Sequence, residues 1–174
     1  MQQVFFGPIK QWGFLVKDID ASMKSWVEQL GVGPWWCYRN VAMKAAFQGA
    51  EHDVVIDVAM AYQNGVQIEL IQQHNDAPSP YRTVYDRPQA QMPHHIAFLV
   101  PDVDASLAQA KAVGFREHAV MHAGGARYIY LESPGTSVLI VELIHADPSF
   151  VADYEHCAAE AAVWDGSNPY RTIS

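Results

Sequence analysis

Gln-Trp-Gly-Phe-Leu-Val-Lys-Asp-Ile-Asp-Ala-Ser, at residues 11–22, is followed 84 positions later by His-Ile-Ala-Phe-Leu-Val-Pro-Asp-Val-Asp-Ala-Ser, at residues 95–106. Seven of the twelve positions are identical. They include the two aspartates and the serine, which a chance match between two apolar segments would not supply. The chain therefore contains an internal repeat.

The ends of the two repeats also correspond. Residues 64–71 resemble residues 136–144, with Glu69 matching Glu142 at an offset of 73. Because the offset at the start of the repeats is 84, the first repeat is 11 residues longer than the second. The extra residues fall most simply between positions 33 and 52.

Each repeat has the pattern of one strand, one helix and three further strands. Asp20 and Asp104 are expected to cap the starts of the helices, and Gly31 and Gly114 to end them. The sequence thus predicts an α+β fold in which paired βαβββ modules form an open curved sheet with an added C-terminal helix. The expected parts of this single domain, residues 1–174, are module one at 8–73, a polar, proline-rich linker at 73–93, module two at 93–146, and the C-terminal helix and tail at 147–174.

Composition narrows the class of protein. Half of the 174 residues are apolar, so a core can be buried, and no apolar run approaches the roughly 18–20 residues of a membrane span. The net charge is −8 with only 11 lysines and arginines, which argues against nucleic acid as a partner. The first residues do not resemble a secretory signal, so Cys37 and Cys157 are expected to be reduced thiols. We expect a cytoplasmic protein that binds neither nucleic acid nor membrane.

Two glutamates lie in otherwise apolar strands. Glu69 lies within residues 66–71 and Glu142 within residues 138–144. A carboxylate in such a strand is costly unless it reaches solvent, pairs with a cation or binds a metal. A solvent-facing position is the simpler explanation for either glutamate alone, but their equivalence in the repeat favours a shared site.

The starts of the repeats supply two more polar side chains, because Gln11 and His95 occupy equivalent positions. If the modules face each other across a pseudo-twofold axis, both converge with Glu69 and Glu142. One imidazole, two carboxylates and an amide oxygen suit an octahedral divalent ion with open water positions better than a closed structural zinc site. For His95 alone, a buried, hydrogen-bonded histidine is the alternative.

These features resemble the vicinal oxygen chelate superfamily, which includes glyoxalase I, methylmalonyl-CoA epimerase, extradiol dioxygenases and bleomycin-resistance proteins. The resemblance covers about residues 9–145. It implies a cup of paired modules around one divalent metal ion (Zn, Ni, Co, Mn or Mg). The first and fourth strands of each module would supply the ligands Gln11, Glu69, His95 and Glu142.

The motifs divide between two subgroups. The ligand set is similar to that of glyoxalase I, whereas residues 30–35 and the Gly-Gly-Ala-Arg segment at 124–127 resemble methylmalonyl-CoA epimerases. Extradiol dioxygenases need two histidines and one carboxylate, and this chain has one histidine in the ligand register, which disfavours that chemistry. The alternative from another class is a non-catalytic small-molecule binding protein of the bleomycin-resistance type.

The resemblance implies an isomerase, epimerase or lyase that transfers a proton next to a metal-bound carbonyl. Glu142 matches the glyoxalase base, and Asp57, one methylene shorter, matches the epimerase base. Arg127 would meet an anionic substrate group, unless it forms a surface salt bridge. We expect a small-molecule substrate and a homodimer. The aromatic residues that would line the pocket, unless they are ordinary core residues, are Trp35, Trp36, Tyr38, Tyr62, Tyr128 and Tyr130.

Overall fold

The computed structural model describes residues 6–135 and 139–173. In chain order its elements are β1 (Gln11–Val16), α1 (Ile19–Leu30), β2 (Trp35–Phe47), β3 (Ala50–Gln63), β4 (Val66–Gln73), a 3-10 helix (Pro80–Asp86), β5 (Gln91–Val100), α2 (Val103–Ala112), β6 (Arg116–Ala123), β7 (Ala126–Glu132), β8 (Ile140–His145), α3 (Pro148–Ala162) and β9 (Tyr170–Ile173). The α+β fold of paired βαβββ modules with an added C-terminal helix is confirmed. None of the described helices is long and apolar enough to cross a membrane.

All the described strands belong to one sheet, in the order β3-β4-β1-β5-β8-β7-β6-β2-β9. The two modules meet where β1 and β5 pair antiparallel. Within each module the first strand pairs parallel with the last, β1 with β4 and β5 with β8. The four strands that begin and end the modules therefore lie side by side, which places equivalent residues of the two repeats next to one another.

The extra residues of the first module lengthen the hairpin of β2 and β3. These strands have 13 and 14 residues, whereas their counterparts β6 and β7 have 8 and 7. The added end of β2, Lys44–Phe47, pairs with Ala119–His122 of β6, while β2 also pairs with β3. Eight strands thus form a closed ring with β9 attached outside it, so the sheet closes where an open cup was expected.

The helices begin two residues earlier than predicted. Asp18 and Asp102, not Asp20 and Asp104, are the N-caps, and each accepts a backbone N–H at 2.9 Å. The capping residues have the extended backbone that an N-cap requires, and the later aspartates lie in the first helical turn, where a negative charge is also favourable. Gly31 ends α1 in the left-handed conformation, as expected. Helix α2 ends at Ala112 and has Val113 as its C-cap, one residue before Gly114.

Hydrophobic clusters lie on both sides of the sheet. One fills the interior of the ring, while α1 and α2 cover the outer surfaces of their own modules. A further cluster joins Trp36 and Tyr62 to Tyr154 of α3. The C-terminal helix therefore packs against the first module, and its inner side faces the same region as Trp36 and Tyr62.

Two segments carry more structure than the sequence indicated. The 3-10 helix within the predicted linker buries Pro80, Tyr81 and Val84, so this stretch contributes to the core of the ring. The tail ends in β9, which pairs parallel with Trp35–Tyr38 and was not predicted. The 3-10 helix packs against β1 and β4, and β9 pairs with β2, so both segments add to the first module.

Candidate active site

The four polar residues singled out by the repeat come together at the centre of the sheet. Gln11, Glu69, His95 and Glu142 lie on β1, β4, β5 and β8, which are consecutive in the strand order. All four are at least nine-tenths buried. A single constellation thus draws two residues from each module, and neither module supplies it alone.

The four side chains converge on one point. His95 Nε2 lies 2.9 Å from Gln11 Oε1, 3.0 Å from Glu142 Oε2 and 3.3 Å from Glu69 Oε2. An imidazole nitrogen carries at most one proton and cannot donate to three oxygens at once. Glu142 Oε2 is buried and, among the described residues, has no hydrogen-bond partner of acceptable geometry. Three oxygens and one nitrogen that are incompletely satisfied by one another are a donor set that fits a divalent cation.

Electrostatics also favour a cation at this point. Burial raises the pKa of Glu69 above its ordinary value. Burial alone would lower the pKa of His95, but the charges and hydrogen bonds of Glu142 and Glu69 outweigh it and raise that pKa to about 10. Two carboxylates in one buried cluster thus need a positive charge beside them. Glu69, His95 and Glu142 offer ligand atoms that all lie within 4.8 Å of one another.

A hydrogen-bonded chain holds the amide of Gln11 in place. Gln11 Nε2 donates to Gln67 Oε1 at 2.6 Å, and Gln67 Nε2 donates to the Tyr62 hydroxyl at 2.6 Å. With its NH₂ group engaged on Gln67, the amide presents its oxygen to His95. The amide oxygen of Gln11 is therefore oriented so that it could bind a metal ion.

The packing of His95 depends on a glycine. Gly13 pairs with Glu69 on one side and with His95 on the other. A Cβ atom at Gly13 would lie 2.0–2.4 Å from three atoms of the imidazole ring. The equivalent position in the second repeat is Ala97, which pairs with Gln11 and Glu142. The two repeats thus differ at this position: the first has glycine, where the His95 ring lies against the backbone, and the second has alanine.

A cavity of about 300 Å³ opens above the four residues. Gln11, Glu69 and Glu142 contribute polar atoms to it, and most of the remaining wall is aromatic or aliphatic. The exposed Asp153 also lines it. The aromatic side chains of this wall are Trp36, Tyr38, Tyr62, Tyr81, Tyr128, Tyr130, Phe150 and Tyr154.

Two residues expected to bind substrate lie elsewhere, and both expectations are corrected. Trp35 is fully buried in the cluster under α1, and its indole N–H donates to the Val32 carbonyl. Because side chains alternate along a strand, Trp36 faces the cavity and Trp35 the opposite side of β2. Arg127 lines a different cleft and pairs with Asp104 at 2.5 Å, which is the surface salt bridge considered as the alternative.

Asp57 is also turned away from the cavity, whose wall includes its neighbours Ile56 and Val58. Its carboxylate accepts hydrogen bonds from Arg39 at 2.9 Å and from the Asn40 backbone N–H at 2.8 Å. Burial alone would raise the pKa of Asp57, but these bonds and the contact with His74 lower it below the ordinary value. The geometry corrects the prediction that Asp57 is a base and assigns it a structural ion pair.

Several cavity residues come from segments to which the sequence assigned no site. Tyr81 belongs to the 3-10 helix, and its hydroxyl lies 3.0 Å from that of Tyr130. Phe150, Tyr154 and Cys157 belong to α3. No repeat relates these residues to Gln11, Glu69, His95 and Glu142, so no sequence pattern indicated that they line the cavity.

The fold and this site define a class of protein. The chain belongs to the glyoxalase/bleomycin resistance protein/dioxygenase superfamily, whose family model matches residues 10–130. The resemblance inferred from the repeat is thereby confirmed.

Solved structures support the same fold. Methylmalonyl-CoA epimerase from Mycobacterium tuberculosis is 18% identical over 83% of this chain and 91% of its own, with a TM-score of 0.56. A hypothetical protein from Bacillus halodurans C-125 is 17% identical over 80% and 94%, also with a TM-score of 0.56. A selenomethionine methylmalonyl-CoA epimerase is 18% identical over 84% and 99%, with a TM-score of 0.53. No curated protein matches the sequence. Identities this low establish the architecture and leave the reaction open.

Proposed function

We propose that the protein is a metal-dependent isomerase, epimerase or lyase that transfers a proton next to a carbonyl group of a small organic substrate. The observation that carries the proposal is the convergence of Gln11, Glu69, His95 and Glu142 on one point beneath a largely apolar cavity. Two buried carboxylates that share a single imidazole would be costly as a purely structural feature. Membership in the superfamily supports the same class of chemistry.

Gln11, Glu69, His95 and Glu142 would hold the ion, with Zn, Ni, Co, Mn and Mg as the candidates. When bound, a divalent ion supplies Lewis-acid polarisation of a substrate oxygen. The residues of this chain orient the substrate beside it and exclude water, because the cavity wall is mostly apolar.

Glu142 is the proposed base. Its carboxylate is buried beside His95 and its side chain lines the cavity, so it can accept a proton from a substrate carbon. Tyr81 and Tyr130 lie nearby with their hydroxyls hydrogen-bonded to each other. Burial and the charge of Glu142 raise the pKa of both tyrosines well above the ordinary value. They stay protonated and can donate to an oxygen on which negative charge develops.

Metal analysis of three matched variants tests the proposal. Glu69→Gln and Glu142→Gln keep the side-chain shape and remove one charged ligand each. Glu132→Gln, on the surface of β7 and paired with Arg116, is the control. Elemental mass spectrometry should find about one ion per chain in the unaltered protein and the control, and strongly reduced metal in the two ligand variants. Full metal content in both ligand variants would refute the proposal, and an unaltered protein that binds no metal would favour the non-catalytic binding protein.

Two further expectations belong with this proposal. A homodimeric assembly can be measured by light scattering after size-exclusion chromatography. A cytoplasmic location can be measured by fractionation of the source cells.

A further inference from the structure

We infer that the substrate is an uncharged aromatic carbonyl compound with one ring. This inference rests on the proposed function and adds the chemical class of the substrate. It follows from the charge, the shape and the wall of the cavity above Glu69 and Glu142.

The charge of the cavity disfavours an anionic substrate group. Among the described residues, no lysine or arginine lines it, whereas Glu69, Glu142 and Asp153 do. There is also no lysine or arginine in the remainder of the sequence, which is residues 1–5, 136–138 and 174. One divalent ion would balance two of the three carboxylates, so the loaded site still offers no net positive charge. An unpaired anion in such surroundings loses its hydration without a compensating partner.

Cationic side chains that adjoin cavity residues along the chain contact other groups. Lys10, next to Gln11, places its Nζ 5.6 Å from the centroid of the Tyr154 ring. Arg39, next to Tyr38, forms ion pairs with Asp20 and Asp57 on the far side of the sheet. Lys44, next to Met43, contacts Glu51 and Asp53. Arg39 and Lys44 would have to leave their carboxylate partners and cross the sheet to reach the cavity. A carboxylate or phosphate on the substrate would therefore find no partner inside it.

The wall favours a flat ring. Trp36 and Tyr62 meet edge to face at 5.7 Å between centroids, and Tyr62 and Tyr154 do so at 5.0 Å. Tyr128 is half-buried on another part of the wall. Rings arranged in this way present edges and faces to which a further aromatic ring can pack.

The volume of the cavity limits the size of the substrate. A volume of about 300 Å³ is at the small end of ligand pockets and suits a compound with one ring. Helix α3 supplies Phe150 and Cys157 to the wall and so limits the space on that side. The carbonyl group is the part that would reach the floor, where Gln11, Glu69 and Glu142 contribute their polar atoms.

Three small probes test the inference on protein loaded with Zn²⁺. α-Hydroxyacetophenone has the proposed features, phenylglyoxylate has the same phenyl ketone with a carboxylate in place of the hydroxymethyl group, and hydroxyacetone has no ring. Calorimetric titration should give α-hydroxyacetophenone an affinity at least about tenfold higher than that of either other probe. An equal or higher affinity for phenylglyoxylate overturns the uncharged part of the inference, and an equal affinity for hydroxyacetone overturns the aromatic part. If the metal is bound and α-hydroxyacetophenone does not bind, the whole inference is overturned.

Two pairs of variants localise the effect. Tyr128→Ala should weaken α-hydroxyacetophenone about tenfold, while Tyr128→Phe, which keeps the ring, should not. Met60→Lys adds a cation to the wall and should raise the affinity for phenylglyoxylate about tenfold, while Met60→Leu should leave it unchanged. Wild-type affinities in both members of either pair contradict the assignment of the cavity.

The proposed function is measured separately in the same samples. Metal content reports the ligand set, and exchange of the α-carbon hydrogens of α-hydroxyacetophenone in D₂O, followed by NMR, reports proton transfer. Selective binding of α-hydroxyacetophenone without exchange would sustain the substrate class and refute the enzyme. Exchange without selective binding would sustain the enzyme and refute the substrate class.

Discussion

Replacing Gly13 with alanine adds one methyl group at the point where β1 passes His95. The new Cβ would lie 2.0 Å from Cε1, 2.2 Å from Nε2 and 2.4 Å from Nδ1 of the imidazole, whereas ordinary contacts begin at 3.4 Å. The ring or the strand must therefore yield by 1.4 Å at the closest pair. The backbone of Gly13 is not in the left-handed region, so the whole cost comes from lack of space.

The displacement bears directly on metal binding. His95 is fully buried beside His94 and Tyr130, so the ring has no path into solvent. Protein ligands hold a metal within about 0.2 Å of the ideal distance, and a shift several times larger removes the imidazole from the point where the oxygens of Gln11, Glu69 and Glu142 converge. We expect Gly13→Ala to lower metal affinity by about 100-fold or more, at or beyond the upper end for substitutions that disturb ligand-supporting residues.

A double-mutant cycle separates the clash from other effects. In metal-free protein, Gly13→Ala should lower the free energy of unfolding by about 1–3 kcal/mol, as overpacking does. In a His95→Ala background the clashing ring is absent, and the same change should be neutral or stabilise the fold by up to about 1 kcal/mol, because glycine disfavours a strand relative to alanine. Urea unfolding of the unaltered protein, the two single variants and the double variant gives the free energies. Competition titration of metal with the unaltered protein and Gly13→Ala, both of which keep His95, gives the affinities. Equal effects in both backgrounds, or unchanged metal affinity in Gly13→Ala, would refute the reasoning.

Three further predictions follow from other contacts. Asp57→Asn should lower the free energy of unfolding at pH 7 by about 1–3 kcal/mol through loss of the ion pair with Arg39, while metal content stays unchanged. Because the folded-state pKa of Asp57 is lowered, this difference should be complete above about pH 4 and shrink as the pH falls through the folded-state value, as urea unfolding at several pH values can measure. Tyr154→Phe removes the hydroxyl that contacts the Lys10 carbonyl at 2.6 Å and should increase hydrogen exchange in α3. Zn²⁺ at about 100 times its dissociation constant should add about 2.7 kcal/mol to the free energy of unfolding, an effect that EDTA reverses and Glu142→Gln largely lacks.

The repeat made the convergence of Gln11, Glu69, His95 and Glu142 predictable from sequence. Equivalent residues of two related modules come together when the modules pair around a pseudo-twofold axis, as β1 and β5 do. A glutamate in an apolar strand is energetically conspicuous, so Glu69 and Glu142 could be recognised without coordinates. The offset between the repeats was also sufficient to locate the longer segment, which forms the β2–β3 hairpin.

The direction of side chains in β3 could not be predicted in the same way. Residues 56–59 of this strand are all buried, because the strand has packed structure on both faces. Hydrophobic alternation therefore gives no signal about which side Asp57 occupies. On β2, the irregular register between Tyr38 and Val41 adds a further obstacle, since one inserted residue reverses the faces of everything that follows.

Sequence by itself determined the paired modules, the family and the four convergent residues, because these follow from local periodicity and from symmetry between the repeats. Only the tertiary structure decided what surrounds them. Tyr81 and Tyr154 reach the cavity from segments that no repeat relates to it, and closure of the sheet depends on the pairing of β2 with β6. The proposed substrate class rests on an apolar wall that no lysine or arginine of the described residues lines. Long-range packing forms this wall, and no periodic pattern in the sequence predicts it.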